Sequence, residues 1–180
     1  MNQQQDRQPT KRLFFALWPG QHARDAMFKT AKALTKQTAG RLVSFENLHL
    51  TLAFVGSVTE QQQQCMEQAA SQVTVQRFTL ELSQLGFWPK PRVAWIGATE
   101  MPDALLQLAS SLNANLSACG YEPDKRPFQA HITLLRKAQR HPKDTQTGEI
   151  HWPVDCFVLV ESITHAEGVE YRVIKEWPLN

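Results

Sequence analysis

The strongest constraint in this chain is a repeated four-residue form, His49-Leu50-Thr51-Leu52 and His131-Ile132-Thr133-Leu134. Chance supplies roughly 0.05 copies of His-x-Thr-Leu in a chain of this composition, so a pair arises about once in a thousand such sequences. Each copy follows a helical pattern and a polar loop, and each reads as a strand. Side chains alternate faces along a strand. His49 and Thr51 therefore share one face, with Leu48, Leu50 and Leu52 on the other; His131 and Thr133 share a face backed by Ile132 and Leu134. Two such strands from two related lobes bring two imidazoles and two hydroxyls to one small volume.

The rest of the pattern fits that reading. Leu13–Trp18 is a continuous apolar run, expected as a buried strand ended by the turn pair Pro19-Gly20. Ala23, Met27, Ala31 and Leu34 form the stripe of a helix over residues 21–36, with Gly40 just beyond its end. A strand over residues 48–55 stops at Gly56, and Thr59 with Gln62 forms a capping box before a second helix. Strands are predicted over 78–82 and 92–97, joined by a connection carrying Phe87 and Trp88. A third helix opens at Pro102-Asp103 and closes at Gly120. Strands follow at 130–135, 157–162 and 170–177, with a hydrophilic stretch over 137–149. Few links are long enough for parallel crossovers, so the expectation is an α+β fold with antiparallel sheets in two related lobes.

Composition narrows the class. At 42% apolar, the chain can bury a core, and its apolar runs are too short to span a membrane. The opening MNQQQDRQPTK lacks an apolar signal core. Residues 1–11 are expected as a disordered cytoplasmic tail, and residues 12–180 as a single domain. Cys65, Cys119 and Cys156 are odd in number and far apart with no C-x-x-C pair, and each is expected as a buried free thiol. A net charge of +2 is too small for a general nucleic-acid coat protein. Lys125, Arg126, Arg136, Lys137, Arg140 and Lys143 nevertheless crowd one stretch that could hold phosphates.

The paired motif implies acid/base chemistry on an anion. Two histidines titrating near neutrality supply one base and one acid, and threonine hydroxyls donate to anionic oxygens. A phosphodiester needs that set, and a strained cyclic one needs no metal ion to react. Metal-binding spacings such as H-E-x-x-H are absent, as is a G-x-x-x-x-G-K-[ST] loop. His22, His141, His151 and His165 have no companion motif.

At these residues the chain resembles the 2H phosphoesterase superfamily, and within it the bacterial RNA 2′,3′-cyclic phosphodiesterase (2′-5′ RNA ligase) family. The likeness includes Arg12-Leu13-Phe14-Phe15-Ala16, the stretch Asn47–Phe54, Arg126-Pro127-Phe128 and His131–Arg136, and runs from Arg12 to Trp177. The resemblance implies a bilobal fold with pseudo-symmetric lobes, antiparallel sheets flanked by helices and a central cleft. It implies metal-independent, cofactor-free hydrolysis of RNA 2′,3′-cyclic phosphate ends to 2′-phosphates, with reversible ATP-independent ligation as a second activity. His49 becomes the proton donor, His131 the proton acceptor, and Thr51, Thr133, Phe54 and Arg136 substrate-binding residues. Phe54 and Arg136 each lie five places after their histidine. Strict alternation puts them on the wrong face, so a twist or bulge is required. A monomeric, cytoplasmic enzyme that meets RNA or a cyclic nucleotide and no membrane is expected. The alternatives are a 2H enzyme acting on another small cyclic or 2′-5′ nucleotide, and a non-catalytic RNA-end binder.

Overall fold

A computed structural model describes residues 9–180. The expected tail falls mostly on residues 1–8, outside the described residues, and Lys11 already begins a strand. The elements in chain order are β1 (Lys11–Leu17), α1 (Gln21–Thr38), β2 (Arg41–Leu42), β3 (Leu50–Val58), α2 (Glu60–Ala70), β4 (Phe78–Trp88) and β5 (Val93–Ala98). They continue with α3 (Asp103–Ser117), β6 (Ile132–Arg136), β7 (Gln146–Val154), β8 (Cys156–His165) and β9 (Gly168–Pro178).

All strand pairings are antiparallel, in the order β7-β4-β5-β6-β3-β1-β8-β9, with β2 on β6. The sheet divides into two halves. One is β3-β1-β8-β9; the other is β7-β4-β5-β6 with β2. They meet at β3 and β6 through one register pair, Leu50 with Ile132. The two lobes expected from the repeat are these half-sheets.

The helices cross between them. α1, which follows β1, packs on β6 and β7, while α3, which follows β5, packs on β3 and α2. The main core lies between helices and sheet and includes Leu13, Phe15, Met27, Leu50, Leu112 and Ile132. β1 is buried on both faces, which is why its sequence is an unbroken apolar run. Leu13, Phe15 and Leu17 face the main core, whereas Phe14 and Ala16 join Val158 and Val160 in a second small cluster.

Local signals in the sequence act largely as expected. Thr59 and Gln62 form the capping box of α2. α1 runs two residues further than its stripe predicts and ends with Ala39, rather than Gly40, in the left-handed region (φ 51°). Gly40 serves close packing: a Cβ there would lie 3.1–3.2 Å from Leu135, Arg136 and Ala138. β4 continues through Phe87 and Trp88, which were expected in a connection. β7 was missed altogether. Its first half is polar and exposed, and only Ile150, Trp152 and Val154 alternate inward. It is an edge strand, where Pro153 is tolerated because no neighbour needs its missing N–H.

The cysteine expectation is corrected. Cys65 on α2 and Cys119 just after α3 form a disulfide, with Cα atoms 5.8 Å apart. Separation in sequence says nothing about contact once α2 and α3 pack side by side. Cys156 is the free thiol; burial, then Glu176 and Asp155, push its pKa up to about 11. The disulfide closes a loop with a sequence separation of 54 residues. Reduction should therefore destabilise the fold by about 2–4 kcal/mol and lower Tm by roughly 5–15 °C, read by thermal denaturation with and without reductant. Identical melting curves would show that the bond does not constrain the unfolded chain.

Candidate active site

The seam between the half-sheets places the two motifs. With Leu50 opposite Ile132, continuing the antiparallel register by one residue either way faces His49 with Thr133 and Thr51 with His131. Residues one place either side of a pair point away from it. Leu50 and Ile132 are buried in the core, so the two imidazoles and two hydroxyls stand together on the opposite face. There they line a cleft of about 1070 Å³.

A matched pair of bulges completes the arrangement. On β3, Phe15 pairs Ala53 while Ala16 pairs Thr51, leaving Leu52 as the extra residue. On β6, Ala94 of β5 pairs Leu135 while Trp95 pairs Thr133, leaving Leu134 extra. Each bulge falls three residues after its histidine and inverts the alternation beyond it. Leu52 with Ala53, and Leu134 with Leu135, are consecutive buried residues, and Phe54 and Arg136 then turn into the cleft. Phe54 is 52% exposed, with the Arg12 guanidinium 5.0 Å from its ring centroid.

The backbone fixes each imidazole in the same way. His49 Nδ1 lies 2.7 Å from the Asn47 carbonyl, and His131 Nδ1 lies 2.8 Å from the Gln129 carbonyl. A carbonyl only accepts, so both Nδ1 atoms carry hydrogen and both Nε2 atoms are left for the cleft. Nε2 of His49 is 3.1 Å from Thr51 Oγ1; with His49 neutral, the hydroxyl donates. The Asn47 side chain donates to the Val169 carbonyl, tying this turn to the β8–β9 hairpin.

The surroundings of the two rings differ. His49 stacks on Trp18 (5.6 Å, 17°) and meets Phe14 and Tyr171 at 4.9 and 5.2 Å. Arg24 covers the Trp18 ring. His131 has Trp88 against it edge-on at 4.4 Å. Trp88 in turn packs on Trp95, whose ring occupies the space a side chain at Gly86 would need; a Cβ there would come within 2.1 Å of it. Burial is the main cause that lowers both imidazole pKa values. His49 falls to about 4, with the cations Arg136 and Arg24 and with His131 opposing its charge. His131 is lowered by burial and by Arg136.

The cleft wall is basic. Arg12, Arg41, Arg126 and Arg136 line it, against the single carboxylate of Glu167. Of the basic stretch near the second motif, Arg126 and Arg136 reach the cleft; Lys125, Lys137, Arg140 and Lys143 do not line it. Arg126 is held by Asp124. Sequence reasoning missed Arg41, Tyr171 and the contact of Trp88 with His131. The only local sign was the aromatic pair Phe87-Trp88, read as part of a loop.

A two-lobed α+β fold with paired His-x-Thr strands facing an arginine-lined cleft is the architecture of a 2H phosphoesterase. The comparisons agree: the model of LigT-like phosphoesterases matches residues 17–95 and again 96–171, two successive matches along the sequence, and the chain belongs to this family. It is 34% identical over 171 residues to an RNA 2′,3′-cyclic phosphodiesterase of Escherichia coli, covering 94% of this chain and 97% of that one. It is 35% identical to one of Archaeoglobus fulgidus, covering 91% and 98%. The crystal structure of E. coli LigT complexed with 3′-AMP superposes with a TM-score of 0.88 at 32% identity, covering 95% and 99%.

The lowered His49 pKa sets a sign for stability. The unfolded chain takes up the proton first, so the contribution of neutral His49 is complete above about pH 6.5 and is lost as pH falls toward about 4. Histidine NMR on the free protein should place the His49 midpoint near 4. The acid-side loss of stability should be shallower in His49→Gln. A His49 midpoint at or above that of a free imidazole would overturn this account.

Proposed function

We propose that this protein hydrolyses RNA 2′,3′-cyclic phosphodiester ends to 2′-phosphates by histidine acid/base catalysis without a metal ion. The observation that carries the reading is the convergence of His49, Thr51, His131 and Thr133 on one face of the seam, inside a basic cleft. Support for the substrate comes from relatives of nearly equal length named for that activity. Metal independence follows in this reading from the chemistry of the pair, since a base for water and an acid for the leaving oxygen suffice to open a strained ring.

In this reading, His131 Nε2 takes a proton from water as the water oxygen attacks phosphorus. His49 Nε2 gives a proton to the departing 3′-oxygen, the ring opens, and the phosphate stays on the 2′-oxygen. Thr51 and Thr133 donate to the non-bridging oxygens. Phe54 offers a face for the terminal base, and Arg136 offers charge. The same step with an RNA 5′-hydroxyl in place of water as nucleophile forms a P–O5′ bond, breaks the P–O3′ bond and gives 2′-5′ ligation without ATP. We read the chain as a cytoplasmic monomer; no described helix is long and apolar enough to cross a membrane. A reducing cytoplasm would keep the Cys65–Cys119 pair open.

His49→Ala and His131→Ala should each lower turnover of a cyclic-phosphate-ended oligonucleotide by roughly a hundredfold or more. Thr51→Ala and Thr133→Ala should cost less, on the order of 1.5–3 kcal/mol each for one donor to a charged acceptor. Activity should survive EDTA. Loss in EDTA restored by one divalent ion, or full activity in either histidine variant, would sink the mechanism.

One observation favours a second assignment of roles. His49 is enclosed by three aromatic rings, Phe14, Trp18 and Tyr171, whereas His131 meets one, Trp88, and burial is the main cause that lowers both imidazoles, so the packing disfavours a charged His49 on more sides. A substrate with a p-nitrophenolate leaving group separates the two assignments, because that group departs without a proton. With His49 as the acid, the substrate rescues His49→Ala far more than His131→Ala; the opposite pattern reverses the roles.

A further inference from the structure

Arg41 and Arg136 stand directly opposite each other in the β2–β6 pair. Residues opposite one another in an antiparallel pair project from the same face, and like charges there repel. Both line the cleft, and among the described residues neither makes a salt bridge. A sheet that sets two unpaired guanidiniums side by side gains nothing for folding from the repulsion. An anion bound between them removes it.

The two arginines stand at the end of β6 away from the seam: Arg136 closes the strand, five residues after His131, and Arg41 faces it from β2, whereas the seam pair Leu50–Ile132 lies at the strand's start. The cleft is also large, at about 1070 Å³, at the top of the range of about 300–1,000 Å³ usual for a small-molecule site. Its other side carries Phe54 beneath Arg12, so Arg41 is not needed to hold the terminal base.

We infer that Arg41, paired with Arg136, forms a subsite for the phosphodiester that links the terminal nucleotide to the rest of the strand, making the enzyme selective for RNA ends over cyclic mononucleotides. The inference rests on the reading of the chain as an RNA cyclic phosphodiesterase. A linking phosphate is a permanent anion one nucleotide from the reacting ring, and a nucleoside 2′,3′-cyclic phosphate with a free 5′-hydroxyl lacks it. Two guanidiniums at that distance add binding for the strand and nothing for the mononucleotide.

The test compares kcat/KM for a dinucleotide ending in a 2′,3′-cyclic phosphate with that for the matching nucleoside 2′,3′-cyclic phosphate. The wild-type enzyme should prefer the dinucleotide. Arg41→Gln should lower kcat/KM for the dinucleotide about tenfold or more, as for one lost hydrogen bond to a charged group, and for the mononucleotide less than twofold. It should also flatten the salt dependence on the dinucleotide by about 0.7 in log–log slope. A neutral methylphosphonate at the linking position should lower wild-type activity by a similar factor and make Arg41→Gln indifferent. Retained mononucleotide turnover shows that the variant is folded. Equal losses on both substrates would put Arg41 at the reacting phosphate and overturn the subsite; so would no loss on either, or a full Arg41 effect on the methylphosphonate. Turnover of neither substrate by the wild-type protein would sink the proposed function, and the subsite with it.

Discussion

One residue pair, Leu50 with Ile132, joins two half-sheets that otherwise share no register. The rest of the site depends on that contact. It is apolar and buried, so the core fixes it, and the period of two then sends the flanking histidines and threonines to the opposite face. A slip of one residue on either strand would bury that strand's histidine and expose its leucines. The hydrophobic effect thus enforces the register that brings the two motifs together. The bulges at Leu52 and Leu134 extend the arrangement beyond the reach of simple alternation. Their equal offset from the two histidines is the backbone counterpart of the repeated sequence.

Placing imidazoles against aromatic rings has a cost and a use. Trp18, Phe14 and Tyr171 around His49, and Trp88 beside His131, remove water from the rings. Desolvation disfavours the charged form. The backbone carbonyls of Asn47 and Gln129 pull the other way and fix the tautomer, leaving each Nε2 aimed at the cleft. Geometry is thus set by backbone contacts formed on folding, while protonation is left to respond to what enters.

The parts legible in the sequence were those with a local or periodic cause. The motif faces follow from alternation. β1 follows from an apolar run, and α2 from its capping box. The turn of Phe54 and Arg136 into the cleft required a bulge, which the five-residue spacing demanded but could not locate; the Leu52 and Leu134 positions are fixed by pairing with β1 and β5. The illegible parts were those made by distant contact. Cys65 and Cys119 meet because α2 packs on α3. β7 has a polar first half because it is a sheet edge. Arg41 lies on a two-residue strand too short to carry any periodicity, and only its pairing with Arg136 places it in the cleft.

The arginines and histidines of the cleft form one electrostatic system. Arg136 opposes protonation of both imidazoles, and at His49 the cations Arg24 and Arg136 add to the effect of burial. The cleft therefore holds cations on its walls and, at its centre, two imidazoles whose charged form is disfavoured. An entering phosphodiester brings the opposite charge to the place where the arginine potential is felt. It offsets that potential and gives Nε2 of whichever histidine serves as the acid a nearby anion, and both changes raise that imidazole's affinity for a proton. Burial of the pair thus does more than position it. In the proposed mechanism, an imidazole disfavoured as a cation in the free protein and favoured beside phosphate becomes the acid when substrate binds, with the binding energy of the anion offsetting the cost of its protonation.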